Sequence, residues 1–149
     1  MRVAQPAPDF GLCFLVALSF FIPLSSATIE AADERCDVYG VTWRGVGYQF
    51  DNDHTWTIEM LVNEVPVGVV AGTISYPSLG CGGTLTYLGD RSEFHLFQED
   101  LTFGLDECIN GGTIDVALCV NPEVPGVCEL VWTWYWPNGE VGAAAVLNQ

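Results

Sequence analysis

Strict two-residue alternation in three separate stretches constrains this chain more than any other feature. In "TWTIEMLV", Trp56, Ile58, Met60 and Val62 fall on one face and Thr55, Thr57 and Glu59 on the other. "TIDVAL" sets Ile114, Val116 and Leu118 against Thr113, Asp115 and Ala117, and "LVWTWYW" aligns Leu130, Trp132, Trp134 and Trp136. Successive side chains of a strand point to opposite faces, so each stretch reads as a strand with one apolar side. Three such strands require a shared interior.

The spacing of turn residues extends this pattern. Candidate strands are Tyr39–Phe50, Thr55–Asn63, Val67–Ser75, Thr84–Leu88, Glu93–Glu99, Thr113–Val120, Glu129–Trp136 and Val141–Leu147, each bounded by Gly, Asn, Asp or Pro. No amphipathic helical stretch interrupts them, which predicts an all-β, antiparallel fold. Short turns at "DND" (Asp51–Asp53), "EVP" (Glu64–Pro66), "GDR" (Gly89–Arg91) and "PNG" (Pro137–Gly139) link neighbours as a meander. That favours a small up-and-down β-barrel of about eight strands over a β-sandwich.

Upstream, Arg2 precedes an apolar run from Phe14 to Leu24, followed by small residues at Ser25, Ser26 and Ala27. This is the layout of a secretory signal peptide over residues 1–27. The apolar run falls short of the roughly 20 residues that a membrane-crossing helix needs, so no membrane insertion is expected after cleavage. Residues 28–37, "TIEAADERCD", read as a flexible leader, and residues 38–149 as one domain. The expected location is secreted or extracytoplasmic, either the periplasm or the cell exterior.

An exported chain is expected to pair most of its cysteines. Cys81 and Cys108 sit in two glycine-rich corners, "YPSLGCGG" and "DECINGG", on either side of two candidate strands. A disulfide between them would staple one end of that hairpin, contributing about 3.5 kcal/mol on the chain-entropy model. Gly80, Gly82, Gly83, Gly111 and Gly112 would allow the backbone to bend and approach closely around the bridge. Cys119 and Cys128 flank "VNPEVPGV", and a bridge across that loop would contribute about 2.7 kcal/mol. Parity resists this second pair: Cys119 lies opposite the Ile114 face, whereas Cys128 shares the face of Leu130 and the tryptophans. A bulge near Pro122 or Pro125 would repair it, and Cys36 competes for either sulfur. One thiol is left over.

The formal charge is −15, with no lysine in the chain. Such a surface repels phosphate backbones and anionic lipid, which argues against nucleic-acid and membrane-surface binding. It serves either solubility or attraction of a cationic protein.

Catalytic and metal-binding patterns are absent. His54 and His95 are the only histidines and form no zinc array; the cysteines form no C-x-x-C pair; neither a G-x-S-x-G elbow nor a phosphate loop occurs. Glu99 and Asp100 are the best carboxylate pair, yet neighbours in a strand face opposite ways. "DND" lacks the spaced ligands of a calcium loop. No enzymatic activity, catalytic residue, metal or cofactor is expected.

The stretches "VGVVAGTISYPSLGCGGTLTYL" and "FQEDLTFGLDECINGGTIDVAL" resemble a small extracytoplasmic domain of exported bacterial proteins. The same domain is found outside the membrane in some actinobacterial serine/threonine protein kinases. The likeness rests on a G-x-I-x-Y-P-x-L-x-C-x-G corner (Gly72, Ile74, Tyr76, Pro77, Leu79, Cys81, Gly83), a strand ending at Glu99, and a C-x-x-G-G corner (Cys108, Gly111, Gly112). It implies a β-rich module and carries over no catalytic residue. The closing "WYWPNGEVGAAAVL" is similar to the last stretch of periplasmic lysozyme inhibitors.

Two functional expectations follow. The first is a binding or sensing module for a small molecule or cell-envelope component, with Trp56, Trp132 and Trp134 lining a pocket in the barrel, the alternative being that these indoles simply fill the core. The second is an acidic inhibitor of a basic extracellular hydrolase, a lysozyme or a protease.

Overall fold

The computed structural model describes residues 36–120, 124 and 126–149, all within the compact unit Ala32–Gln149. The expected signal peptide, and residues 28–35 of the expected leader, lie outside the described residues. Eight strands follow in order: β1 (Thr42–Gln49), β2 (Thr55–Val62), β3 (Val70–Tyr76), β4 (Cys81–Arg91), β5 (Phe94–Phe103), β6 (Thr113–Val120), β7 (Cys128–Tyr135) and β8 (Val141–Asn148). Each pairs antiparallel with its sequence neighbour and β1 closes onto β8, giving an up-and-down barrel without a free edge. The sandwich alternative is excluded.

The alternating faces sort as the periodicity requires. β2 buries Ile58, Met60 and Val62; β6 buries Ile114 and Val116; β7 buries Leu130, Trp132 and Trp134. Each fully buried indole removes enough surface from water to contribute about 4–6 kcal/mol before conformational entropy is set against it. Bulk on β7 is matched by small residues on β8, where Ala145 lies in register with Trp132 and Ala143 with Trp134. Asp115 points outward, as its parity demands, but is only 3% exposed. Arg91 and Tyr135 lie over it, each bonded to Oδ2, at 3.3 Å and 2.7 Å.

β4 and β5 run well past the expected Thr84–Leu88 and Glu93–Glu99. Gly82, Gly83 and Gly89 lie inside the β4 strand, where the pairing with β5 slips at Gly82/Gly83 and again at Tyr87/Gly89. A glycine in a strand marks a bulge as readily as a turn. The reversal falls instead at residues 92–93, with Ser92 at φ 57°.

The two poles of the barrel differ. At the base, residues 36–41 cross from one wall to another: Cys36 is bonded to Cys128 at the start of β7, the Tyr39 hydroxyl meets His95 Nδ1 of β5 at 3.1 Å, and the Gly40 amide donates to the Val62 carbonyl of β2. Val38 is buried in this crossing, and its carbonyl accepts a 3.0 Å bond from Trp43 Nε1. Cys36 and Asp37 therefore belong to the folded domain and not to a flexible leader. At the mouth, loops 50–54, 77–80, 104–112 and 136–140 surround an opening, and Cys81–Cys108 ties two of them together.

Cys81–Cys108 is the bridge expected from the two glycine corners; Cys119–Cys128 is not formed. β6 and β7 pair without interruption, Cys119 opposite Glu129 and Val120 opposite Cys128, so no bulge turns the two sulfurs to one side. Cys36 reaches the Cys128 sulfur from the base. Among the described residues no cysteine is a free thiol, Cys119 included. Two disulfides indicate an oxidising, extracytoplasmic setting. No helix among the described residues is long and apolar enough to cross a membrane.

Candidate ligand-binding site

Buried apolar side chains occupy the base and middle of the barrel, and the mouth is hollow. A cavity of about 110 Å³ opens there, walled by Trp56 of β2, Tyr76 of β3, Glu99 of β5, Trp132 and Trp134 of β7, and Trp136 just beyond β7. The three tryptophans expected to line a pocket are thus brought together. Trp132, fully buried, also belongs to the hydrophobic core cluster.

Glu99 organises the walls. It lies between Phe97 and Leu101 on the inward face of β5 and is 1% exposed. Its Oε1 accepts a 2.5 Å hydrogen bond from the Tyr76 hydroxyl, and its Oε2 accepts a 3.0 Å bond from Trp134 Nε1. Each donor belongs to an edge-to-face aromatic pair: Trp56 with Tyr76 at 6.4 Å, and Trp134 with Trp136 at 4.7 Å. Burial pushes the Glu99 carboxyl above the ordinary glutamate range, against the two hydrogen bonds that pull it down. Burial pushes the Tyr76 hydroxyl well above its ordinary value, reinforced by the neighbouring Glu99 charge.

Two glycines give Trp134 its place. A Cβ on Gly112 would lie 2.3 Å from Trp134 Nε1, and one on Gly142 would lie 2.7 Å from Trp134 Cε3. The indole is held between two bare backbone segments, one in the second glycine corner and one at the start of β8. Gly112 therefore serves the tryptophan, whereas Gly80, at φ 73°, serves the turn beside Cys81.

Two donors in the walls have no protein acceptor. Nε1 of Trp56 and Nε1 of Trp132 are both buried, and neither is hydrogen-bonded within the chain. Buried donors are nearly always satisfied, and leaving one unmet costs about 1–3 kcal/mol. The rim outside is apolar and acidic: Phe50, Leu105, Ile109 and Val141 are exposed, and the mouth loops carry Asp51, Asp53, Asp106, Glu107 and Glu140 with no arginine.

Other candidate groups remain apart. Glu99 points inward, whereas Asp100 is exposed and meets Asn110 at 3.3 Å, so the two carboxylates do not share a site. His54 lies in a mouth loop and His95 at the base, beside Asp90 at 2.7 Å. In "DND", Asp51 accepts from the Gln49 amide, Asn52 from the His54 backbone and Asp53 from the Tyr48 hydroxyl. No group of three or more metal-ligating side chains occurs among the described residues.

Sequence reasoning missed Tyr76, Trp136 and the binding position of Glu99. The signal for Glu99 was present: in "FQEDL" the acid shares the parity of Phe97 and Leu101, a carboxyl on an apolar face. No protein-family model, curated protein or solved structure matches the chain, so the site stands on its own geometry.

Proposed function

We propose that the chain is a secreted, non-enzymatic binding or sensing module that takes a small molecule or cell-envelope component into the aromatic cup at the barrel mouth. One observation carries this reading: the cavity at the barrel mouth is walled by aromatic rings, Trp56, Tyr76, Trp132, Trp134 and Trp136, around the single carboxyl of Glu99. An apolar wall with a few convergent polar groups is the usual make-up of a small-ligand site.

Tryptophan emission tests the proposal, because four of the residues lining the cavity are tryptophans, Trp56, Trp132, Trp134 and Trp136. Titrating the intact, oxidised chain with a panel of small polar, apolar and glycan ligands should shift or quench the emission for at least one of them. Trp56→Phe should weaken that response. Emission unmoved across the panel, together with no heat of binding, overturns the reading.

The inhibitor reading is favoured by the charge alone. The acids on the mouth loops give a basic hydrolase a complementary face. Inhibition of lysozyme or a cationic protease at low salt supports it, and full hydrolase activity at an excess of this chain eliminates it.

A further inference from the structure

Taking the cup as a ligand site, the geometry points to its ligand class: a small methylated ammonium, seated against Glu99 and enclosed by Trp56, Tyr76, Trp132 and Trp134. The first step is the hydrogen-bonding state of the carboxyl. Both Glu99 oxygens accept, one from Tyr76 and one from Trp134. An ionised carboxylate accepts from both partners at once, whereas the neutral acid keeps the same two contacts by donating to the Tyr76 hydroxyl, itself an acceptor. The site thus suits the anion, and no cation among the described residues accompanies it. Of the two arginines among the described residues, Arg44 is on the outer wall with Glu59 at 3.2 Å, and Arg91 is outside with Asp115 at 3.3 Å. A buried carboxylate without a counter-charge is costly, and burial raises the Glu99 pKa accordingly. The missing component is a positive charge.

The walls specify what kind. Ring faces attract cations, most strongly where water is excluded, and aromatic cages are the known solution for quaternary ammonium groups. A primary ammonium brings three N–H donors that need acceptors, yet the indoles of Trp56 and Trp132 are donors themselves. A methylated ammonium has no such demand and buries its methyl shell against the rings. The volume of about 110 Å³ suits one compact group of small-ring size. Glu107, exposed at the cavity edge, and the net charge of −15 draw cations toward the opening.

The test uses the intact, oxidised chain at neutral pH and low salt, with choline, glycine betaine, ethanolamine and the neutral tert-butyl isostere of choline as probes. Calorimetry and tryptophan emission should show choline or betaine binding at least about tenfold more tightly than the isostere, and more tightly than ethanolamine by a similar factor. Equal or tighter binding of the isostere overturns the charge assignment while leaving the cup a ligand site. Equal binding of ethanolamine overturns the preference for methyl groups. If no probe binds and the wider panel is also silent, the cup itself is not a ligand site.

The pH profile is a second arm. The titratable groups facing the cavity are Glu99, Tyr76 from β3 and Glu107 from the loop after β5; β1, β2, β7 and β8 contribute neutral Gln49, Trp56, the β7 indoles and Ala143. Opposite Glu99, β4 places Leu85, and the Gly112 backbone ahead of β6 accepts from the Glu99 amide. A cation favours ionised Glu99, so choline affinity should fall as pH drops through the carboxyl's raised titration range, and Glu99→Gln should lower affinity at least about tenfold and flatten the profile. A pH-independent affinity in the wild-type chain overturns the role of Glu99 even if the variant fails to fold.

Discussion

At the scale of single residues, Glu99 couples stability to pH in a direction that can be worked out. Its folded pKa lies above the unfolded one, so its proton is held more tightly in the barrel. The stabilisation is complete below the ordinary glutamate range and is lost as pH rises through the raised folded value. Urea midpoints of the ligand-free wild-type chain should therefore fall over that window, relative to Glu99→Gln, which lacks the titration. A constant difference between the two across pH would contradict the burial described here. Gly112→Ala tests the other side of the same contact. The new methyl must displace Trp134 from Glu99, which should cost about 1–3 kcal/mol and alter the tryptophan emission. Of this cluster, the sequence alone reveals the inward parity of Glu99 and the tryptophans. It does not reveal that Gly112 and Gly142 clasp one indole, because that depends on how the loop before β6 closes against the β7–β8 hairpin.

At the scale of elements, alternation was legible and punctuation was not. β2, β6 and β7 are found within a residue or so of their expected bounds, because an unbroken two-residue period leaves one face to bury. The β4–β5 hairpin departs from the sequence expectation because Gly82, Gly83 and Gly89 look like turn residues yet sit in bulges, while the true reversal uses Ser92 and Glu93, with no glycine. Ser92 takes a positive φ at the first turn position, where glycine is favoured. Ser92→Gly should raise stability by a few tenths to about 1 kcal/mol, read from the urea midpoint. The disulfides divide similarly. Local glycine context identifies Cys81–Cys108, but nothing near Cys36 or Cys128 in sequence announces that a segment crosses the base, so sequence favours Cys119 for Cys128 and leaves Cys36, the actual partner, as the competitor. Replacing both Cys36 and Cys128 by Ser should cost about 2–5 kcal/mol. The near-ultraviolet signal of the mouth tryptophans should persist, since their supports are at the other pole.

For the whole molecule, charge acts at a distance that individual contacts do not. With a net charge of −15 and no lysine, the field around the barrel draws in cations and turns away anions. The Debye length contracts from about 30 Å at 0.01 M salt to about 8 Å at 0.15 M. Association of a cationic ligand, followed by stopped-flow tryptophan emission, should slow several-fold over that range, whereas a neutral ligand should show no change. The crossing segment at the base has a geometric corollary. Cys36 is fastened beside the start of β7, and Asn148, in register with Glu129, ends β8 within the same neighbourhood. Both ends of the described chain thus depart from one pole, and the aromatic opening occupies the other. A tether attached at either terminus, whether to a bead, a sensor chip or a fused domain, would leave the cup facing away from its support and accessible to solution.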